Sequence, residues 1–95
     1  MAPAGLVPIE ILLVEDNAGD VRLVQEMLSE TGAVPFALAI ATNLAATLAR
    51  LRAGGIDVLL LDLGLPDSSG VSTFTSVHAQ IPTLPIIVLT GVCDP

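Results

Sequence analysis

Residues 57–62 read Asp-Val-Leu-Leu-Leu-Asp, and this stretch decides the fold. Its apolar centre has no polar face, which is typical of a strand buried on both sides within a parallel sheet. The glycines Gly54 and Gly55 precede the run, and the carboxylate of Asp62 ends it. We therefore predict a central strand that carries a charged group at its carboxyl end.

Three further apolar runs of strand length lie along the chain, at residues 9–14 (IEILLV), 36–41 (FALAIA) and 86–90 (IIVLT). The segments between the strands are long enough for one helix each. Strands that alternate with helices in this way indicate βαβ units, a parallel sheet and right-handed connections. We therefore predict an α/β domain in which three helices separate four parallel strands.

The helices are indicated by apolar residues that recur at helical spacing. The three sets are Val21, Val24 and Leu28; Leu44, Leu48 and Leu51; and Val71, Phe74 and Val77. Asp16 or Asn17 can cap the first helix, and Gly32 can end it. Thr42 or Asn43 can cap the second.

The composition excludes several classes of protein. The formal net charge is −7 and the only arginines are Arg22, Arg50 and Arg52, with no lysine, so we expect no direct binding to nucleic acid. The mean hydropathy is +0.83, but the uncharged stretch 31–49 is interrupted by polar residues and Pro35, so we expect no membrane span. The N-terminus lacks the features of a signal peptide. A cytoplasmic protein fits these observations best.

Polar residues gather at one end of the predicted sheet. Glu15 and Asp16 follow the first strand, Asp62 ends the third, and Thr90 ends the fourth. Ligand sites of parallel sheets lie beyond the carboxyl ends of the strands, so these residues should converge. Crowded carboxylates repel one another, and Mg²⁺ is the simplest cation to neutralise them. Asp62, the central acid, is the natural nucleophile for a covalent aspartyl phosphate.

Three segments carry a resemblance to a known family: ILLVEDN at 11–17, LLLDLGLPDSSG at 59–70 and PIIVLTG at 85–91. They resemble the signature segments of response-regulator receiver domains of two-component signalling, in the same order and on the same elements. The resemblance implies the CheY-like, flavodoxin-like fold, a three-layer α/β/α sandwich with strand order 2-1-3-4-5. It also implies a signalling phosphoacceptor, with at most Mg²⁺-dependent self-phosphorylation and autodephosphorylation, and not an enzyme.

The same resemblance assigns roles to individual residues. Asp62 would accept a phosphoryl group from a histidine kinase or a histidine phosphotransfer protein. Asp16 would bind Mg²⁺ directly, Glu15 would act mainly through a bound water, and the backbone carbonyl of Gly64 would complete the protein ligands. Thr90 would hydrogen-bond a phosphoryl oxygen and move when the site is occupied.

Family members continue for a fourth helix, a fifth strand and a fifth helix, and their fifth strand brings a lysine that pairs with the phosphate. The sequence ends at Pro95 and contains no lysine. We therefore expect residues 1–8 to form a tail and residues 9–95 to form an incomplete receiver domain that is phosphorylated weakly on its own. The strand at 86–90 would be an uncharged edge of the kind that pairs with other chains. We expect a homo-oligomer formed by this edge, by exchanged terminal segments or by uncovered sheet faces, the alternative being a monomer covered by its own tail.

Two other functions remain open. The chain could be a receiver fragment that is not phosphorylated and acts as a dimerisation or interaction module. It could also be a metal-dependent phosphohydrolase with an aspartyl nucleophile. Enzymes that resemble the haloacid dehalogenases carry a second aspartate two residues after the nucleophile, where this chain has Gly64.

Overall fold

The structure, a computed structural model, describes residues 8–32 and 35–89. Its helices are α1 (Ala18–Thr31), α2 (Leu44–Ala53) and α3 (Val71–Gln80). Its strands are β1 (Ile9–Val14), β2 (Phe36–Ala41), β3 (Val58–Asp62), β4 (Gly64–Leu65), β5 (Ser68–Ser69) and β6 (Ile86–Leu89). None of the helices among these residues is long and apolar enough to cross a membrane.

The main sheet has four parallel strands in the order β2-β1-β3-β6. Strand β6 is the fourth strand of the sequence analysis, so this order confirms the flavodoxin-like arrangement. The central strands β1 and β3 pair in register from Ile11 opposite Val58 to Val14 opposite Leu61. Both are therefore enclosed by neighbouring strands, as the apolar run of β3 predicts.

Successive side chains of a strand point to opposite faces, and the two faces of this sheet have separate cores. Leu12, Val14, Leu59 and Leu61 lie in the cluster that also receives α2 and α3. The second cluster contains Ile11, Leu13 and Leu60, and α1 packs against it through Val21, Val24 and Leu28. Helices thus cover both faces, and the predicted three-layer α/β/α arrangement is confirmed.

Asparagine is the N-cap of the first two helices. The Oδ1 atom of Asn17 accepts the N–H of Asp20 at 3.0 Å, and that of Asn43 accepts the N–H of Ala46 at 2.7 Å. Helix α1 ends at Gly32, whose φ of 60° is a left-handed conformation that glycine adopts without a steric penalty. These caps fix where the chain leaves β1 and β2, which is where the candidate site begins.

Two boundaries differ from the sequence-based expectation. Strand β3 begins at Val58, one residue later than expected. Asp57, just before it, still bonds to β1: its N–H donates to the carbonyl oxygen of Glu10 and its Oδ2 accepts the N–H of Glu10, both at 2.8 Å. The stretch after Asp62, expected to be a loop, contains the antiparallel hairpin β4–β5, with Gly64 opposite Ser69 and Leu65 opposite Ser68. This hairpin lies directly beside the candidate site.

Candidate functional site

The carboxyl ends of β1 and β3 bring three carboxylates together. Glu15 and Asp16 follow β1 directly, and Asp62 is the last residue of β3. Since Val14 pairs with Leu61, the residues that follow these two positions are neighbours at one edge of the sheet. One carboxylate oxygen from each of the three acids lies within 4.8 Å of the others. The strand register therefore builds an acidic cluster from residues 46 or 47 positions apart in the sequence.

Glu15 is the buried member of the cluster. Its side chain is only 6% exposed, and its backbone N–H donates to the carbonyl oxygen of Ala41 at the end of β2. Burial raises the pKa of the Glu15 carboxyl to about 7, and a hydrogen bond to Asp62 and the negative charges of Asp62 and Asp20 act in the same direction. The N–H of Asn17, 3.3 Å from Oε2, lowers the pKa by a smaller amount.

Asp16 and Asp62 are more accessible than Glu15. Asp16 is exposed and Asp62 is half-buried. The backbone N–H of Gly64 donates to Oδ1 of Asp62 at 3.0 Å, which fixes the orientation of that carboxylate. A carboxylate that is partly exposed, oriented by a backbone N–H and central in the sheet suits a nucleophile.

The donor set fits a hard divalent cation. Three carboxylates within 4.8 Å supply oxygen ligands, which Mg²⁺ prefers. In the described residues, 8–32 and 35–89, the ion pair is between Arg22 and Glu26 on the surface of α1. No arginine of these residues therefore forms an ion pair with the acidic cluster. Burial is the main cause of the raised pKa of Glu15, and the negative charges of Asp62 and Asp20 add to it.

The loop after Asp62 is held by its own hydrogen bonds. The carbonyl oxygen of Leu63 accepts the N–H of Gly70 at 3.0 Å and the hydroxyl of Thr73 at 3.3 Å. The hydroxyls of Ser68 and Thr73 form a further hydrogen bond at 2.7 Å. Gly64 lies inside this loop, and a Cβ atom there would meet Oδ1 of Asp62 at an ordinary contact distance of 3.9 Å. A side chain at position 64 would therefore not clash with Asp62, and the available space does not explain the glycine.

Sequence reasoning placed four polar residues at this edge, and three of them are together. Thr90 lies outside the described residues, although β6 does reach this edge, since Leu89 pairs with Asp62. The sequence reasoning missed Asp67, whose carboxylate bonds to the start of α2. The only sequence signal for that contact was the Pro66–Asp67 pair, which indicates a tight turn but no long-range partner.

Comparison with known proteins decides the family. The family model described as the response regulator receiver domain matches residues 11–94. The chain belongs to the response-regulator receiver family. Receiver domains are signalling domains and not classical enzymes, they generally bind Mg²⁺ at an acidic pocket, and they interact with histidine kinases or phosphotransfer proteins as a class.

Individual relatives of this receiver domain agree with that membership. The swarming motility regulation protein RssB of Serratia marcescens is 35% identical over 83 residues, which are 87% of this chain and 36% of the relative. The response regulator Rcp1 of Synechocystis sp. is 35% identical over 92 residues, which are 87% of this chain and 62% of the relative. The chain therefore spans between about a third and about two thirds of the length of these two relatives.

Solved structures have the same fold as this receiver domain. The signal receiver domain of an HD domain-containing protein from Pseudomonas fluorescens Pf-5 has a TM-score of 0.79 at 28% identity, covering 100% of this chain and 67% of that one. The MaeR response regulator bound to beryllium trifluoride has a TM-score of 0.76 at 23% identity, covering 90% and 70% of the two chains, and shows the fold alone.

Proposed function

We propose that this receiver domain accepts a phosphoryl group on Asp62 from a histidine kinase or a histidine phosphotransfer protein of a cytoplasmic two-component phosphorelay. The observation that carries the proposal is the position of Asp62. It ends the central strand β3 and has oxygens of Glu15 and Asp16 within 4.8 Å, in a chain of the receiver family. No other acid among the described residues combines a strand end with such neighbours.

The proposed chemistry needs little from the protein beyond placement. A carboxylate oxygen of Asp62 bonds to phosphorus while the bond from phosphorus to the donor nitrogen breaks, which gives an aspartyl phosphate. The N–H of Gly64 holds Oδ1 of Asp62 at 3.0 Å, so the carboxylate keeps one orientation during the approach of the donor. Any further activity of this chain would be self-phosphorylation and autodephosphorylation at the same residue.

We assign the metal ligands of the proposal to the acidic cluster. Asp16 and Asp62 would ligate Mg²⁺ directly, Glu15 would act through a bound water, and the backbone carbonyl of Gly64 would complete the protein ligands. Bound Mg²⁺ supplies positive charge against the phosphoryl oxygens during transfer. Two features of the cluster support the assignment: its three carboxylates lie close together, and the pKa of Glu15 is raised to about 7. A bound cation would stabilise such a cluster.

Two parts of the proposal concern the phosphorylated state. We assign the hydroxyl of Thr90 to a phosphoryl oxygen, as the family pattern implies. The chain contains no lysine, so the charge-assisted lysine contact of the family is not made by this chain. We therefore expect phosphorylation of the 95-residue chain to be slow.

The fluoride complex of beryllium provides a direct test, because it adds to a carboxylate in the shape of a phosphoryl group. With Mg²⁺ present, we expect a bound ¹⁹F resonance in the wild type, weakened by the lack of the lysine, and no such resonance in Asp62→Asn. Asp57→Asn is the matched control, since Asp57 directly precedes β3, away from the site, and also accepts a backbone N–H. Equal bound resonances in wild type and Asp62→Asn would show that the phosphoacceptor is another residue.

A second proposal concerns self-association of the chain through β6. Such self-association is also what we expect of a receiver fragment that acts as an interaction module. Within residues 8–32 and 35–89, β6 has a partner strand on one side only, and its Ile87 and Val88 are 53% and 37% exposed. We propose that the free edge or the uncovered sheet face beside it joins two copies of the chain. Sedimentation should show dimers or larger species that dissociate on dilution and in Val88→Lys. A monomer at every concentration in both forms would contradict assembly.

A further inference from the structure

The hairpin β4–β5 carries a carboxylate that reaches a helix far away in the sequence. Oδ1 of Asp67 accepts the N–H of Leu44 at 2.7 Å, and Oδ2 accepts the N–H of Ala45 at 3.1 Å. These bonds join residues 23 and 22 positions apart and link the loop after Asp62 to the first turn of α2. Asp67 is therefore part of the environment of the candidate site without belonging to the acidic cluster.

The first turn of α2 uses two side chains as caps. The first N–H groups of a helix have no partner within it, and here Asn43 accepts the N–H of Ala46 while Asp67 accepts the two before it. A carboxylate at this position also interacts favourably with the positive end of the helix dipole. The bonds from Leu44 and Ala45 lower the pKa of Asp67, so the charged form is the one that caps α2.

The rest of the hairpin is fixed on its other side. Leu65 is buried in the core cluster beneath α2 and α3, and Ser68 bonds to Thr73 in the first turn of α3. Asp67 supplies the attachment on the side of α2. Gly64, whose N–H orients Asp62, pairs with Ser69 in the same hairpin.

The Asp67 contact also connects the loops that carry the acidic cluster. The N–H of Glu15 donates to the carbonyl oxygen of Ala41, and the chain runs from Ala41 through Asn43 into α2. Asp67 then joins the start of α2 to the hairpin, and the hairpin returns to Asp62. One backbone hydrogen bond and the two bonds to the Asp67 carboxylate thus connect the loop after β1 to the loop after β3.

We propose that Asp67 is a positioning residue that clamps the β4–β5 hairpin to the first turn of α2, and thereby holds the backbone of Gly64 and the carboxylate of Asp62 in the arrangement that binds Mg²⁺. This inference rests on the proposed function for its metal, but the clamp itself is a property of the fold. Asp67 is not a member of the acidic cluster, and its carboxylate oxygens accept N–H groups of α2. Its removal lets the hairpin move relative to the end of β1, which separates ligands that must stay within a few ångströms of one another.

Asp67→Ala and Asp67→Asn, compared with Asp57→Asn, test the clamp in the whole chain. Alanine removes both acceptor oxygens, whereas asparagine keeps one. The control Asp57→Asn removes the same charge from a carboxylate that accepts the N–H of Glu10 at 2.8 Å, at the end of β3 away from the site. Three quantities are measured for each protein: the dissociation constant for Mg²⁺, the hydrogen-exchange protection of the Leu44 and Ala45 amides, and the chemical shift of the Gly64 amide.

We expect Asp67→Ala to weaken Mg²⁺ binding on the order of tenfold, Asp67→Asn to lie between it and the wild type, and Asp57→Asn to match the wild type. Protection at Leu44 and Ala45 should fall, and the Gly64 resonance should move, in the two Asp67 variants alone. Wild-type Mg²⁺ affinity or unchanged amides in Asp67→Ala would overturn the inference.

The amide measurements also distinguish the two proposals. If the wild type bound no Mg²⁺, the metal site of the proposed function would fail, and the amides would still decide the clamp. Unchanged Gly64, Leu44 and Ala45 amides would overturn the clamp, and a selective change in the Asp67 variants would support it.

Discussion

The carboxylates of this receiver domain fall into two groups with different surroundings. Glu15, Asp16 and Asp62 lie within 4.8 Å of one another, and the hydrogen bonds to Glu15 and Asp62 come from N–H groups two residues further along their own loops. Asp57 and Asp67 instead accept N–H groups from segments 47 and 22 or 23 residues away. The pKa of Glu15 is raised by burial, whereas that of Asp67 is lowered by its backbone donors. The two acids outside the cluster link distant segments of the fold, whereas the clustered acids receive backbone N–H groups from their own loops.

The largest effect should follow from removing two of the clustered acids. We expect Asp16→Asn combined with Asp62→Asn to weaken Mg²⁺ binding on the order of a hundredfold or more, because two anionic oxygen ligands become neutral. Isothermal titration calorimetry measures the change. Asp57→Asn combined with Glu30→Gln is the control with the same loss of charge, at two exposed acids outside the cluster, and it should retain the affinity of the wild type. Equal weakening in the two double variants would mean that net charge, and not the cluster, attracts the cation.

Neutralising Glu15 should stabilise the metal-free protein at high pH. The pKa of Glu15 is raised from 4.5 to about 7 on folding, so the folded state holds a proton that the unfolded state has lost between these values. The free energy of unfolding of the wild type therefore falls as the pH rises through this window, by roughly 2 to 3 kcal/mol. Glu15→Gln has no carboxyl group at this position, so its free energy of unfolding should not fall in this way. Urea unfolding should show it to be the more stable protein at pH 8, and the advantage should disappear at pH 4.

The same protonation should make metal binding depend on pH. Because Glu15 is protonated below a pKa of about 7 and must be ionised beside a cation, Mg²⁺ affinity should rise about tenfold between pH 6 and pH 8 in the wild type. Glu15→Gln should show a flatter profile and weaker binding at pH 8. A wild-type affinity that does not change across this range would mean that Glu15 stays outside the metal environment.

The smallest effect concerns an uncharged cap of the fold. Asn43→Ala removes the acceptor of the Ala46 N–H at the start of α2 and should lower the free energy of unfolding by about 1 kcal/mol. Thr75→Ala removes an exposed hydroxyl that bonds within α3 and should change it by less than about 0.5 kcal/mol. Urea unfolding measures both. A cost for Asn43→Ala no larger than that of Thr75→Ala would mean that Asp67 alone caps this turn.

Much of this fold could be predicted from local patterns, because its strands are short apolar runs and its helices repeat apolar residues at helical spacing. The bounds of β1 and β2 were predicted at 9–14 and 36–41, and the strand order is confirmed. The end of each strand in turn located the clustered acids, since parallel strands end at one edge. The family is confirmed by the match over residues 11–94.

The parts that escaped prediction depend on contacts between distant residues. The two-residue strands of the β4–β5 hairpin are too short to show a period. The side chain of Asp57, just before β3, bonds to the N–H of Glu10, 47 positions earlier, and no local pattern encodes such a contact. The cap that Asp67 provides for α2 has the same cause, because a carboxylate in a turn shows nothing of a helix more than twenty residues earlier.

Locating the phosphoryl group tests the central claim most directly. The chain is incubated with acetyl phosphate and Mg²⁺, and the modified residue is identified by mass spectrometry after the acyl phosphate is trapped with a nucleophile. We predict slow, Mg²⁺-dependent modification confined to Asp62, with none in Asp62→Asn and an unchanged rate in Asp57→Asn. Modification that persists in Asp62→Asn, or that proceeds equally well without Mg²⁺, would contradict the claim that Asp62 is the phosphoacceptor of a magnesium site.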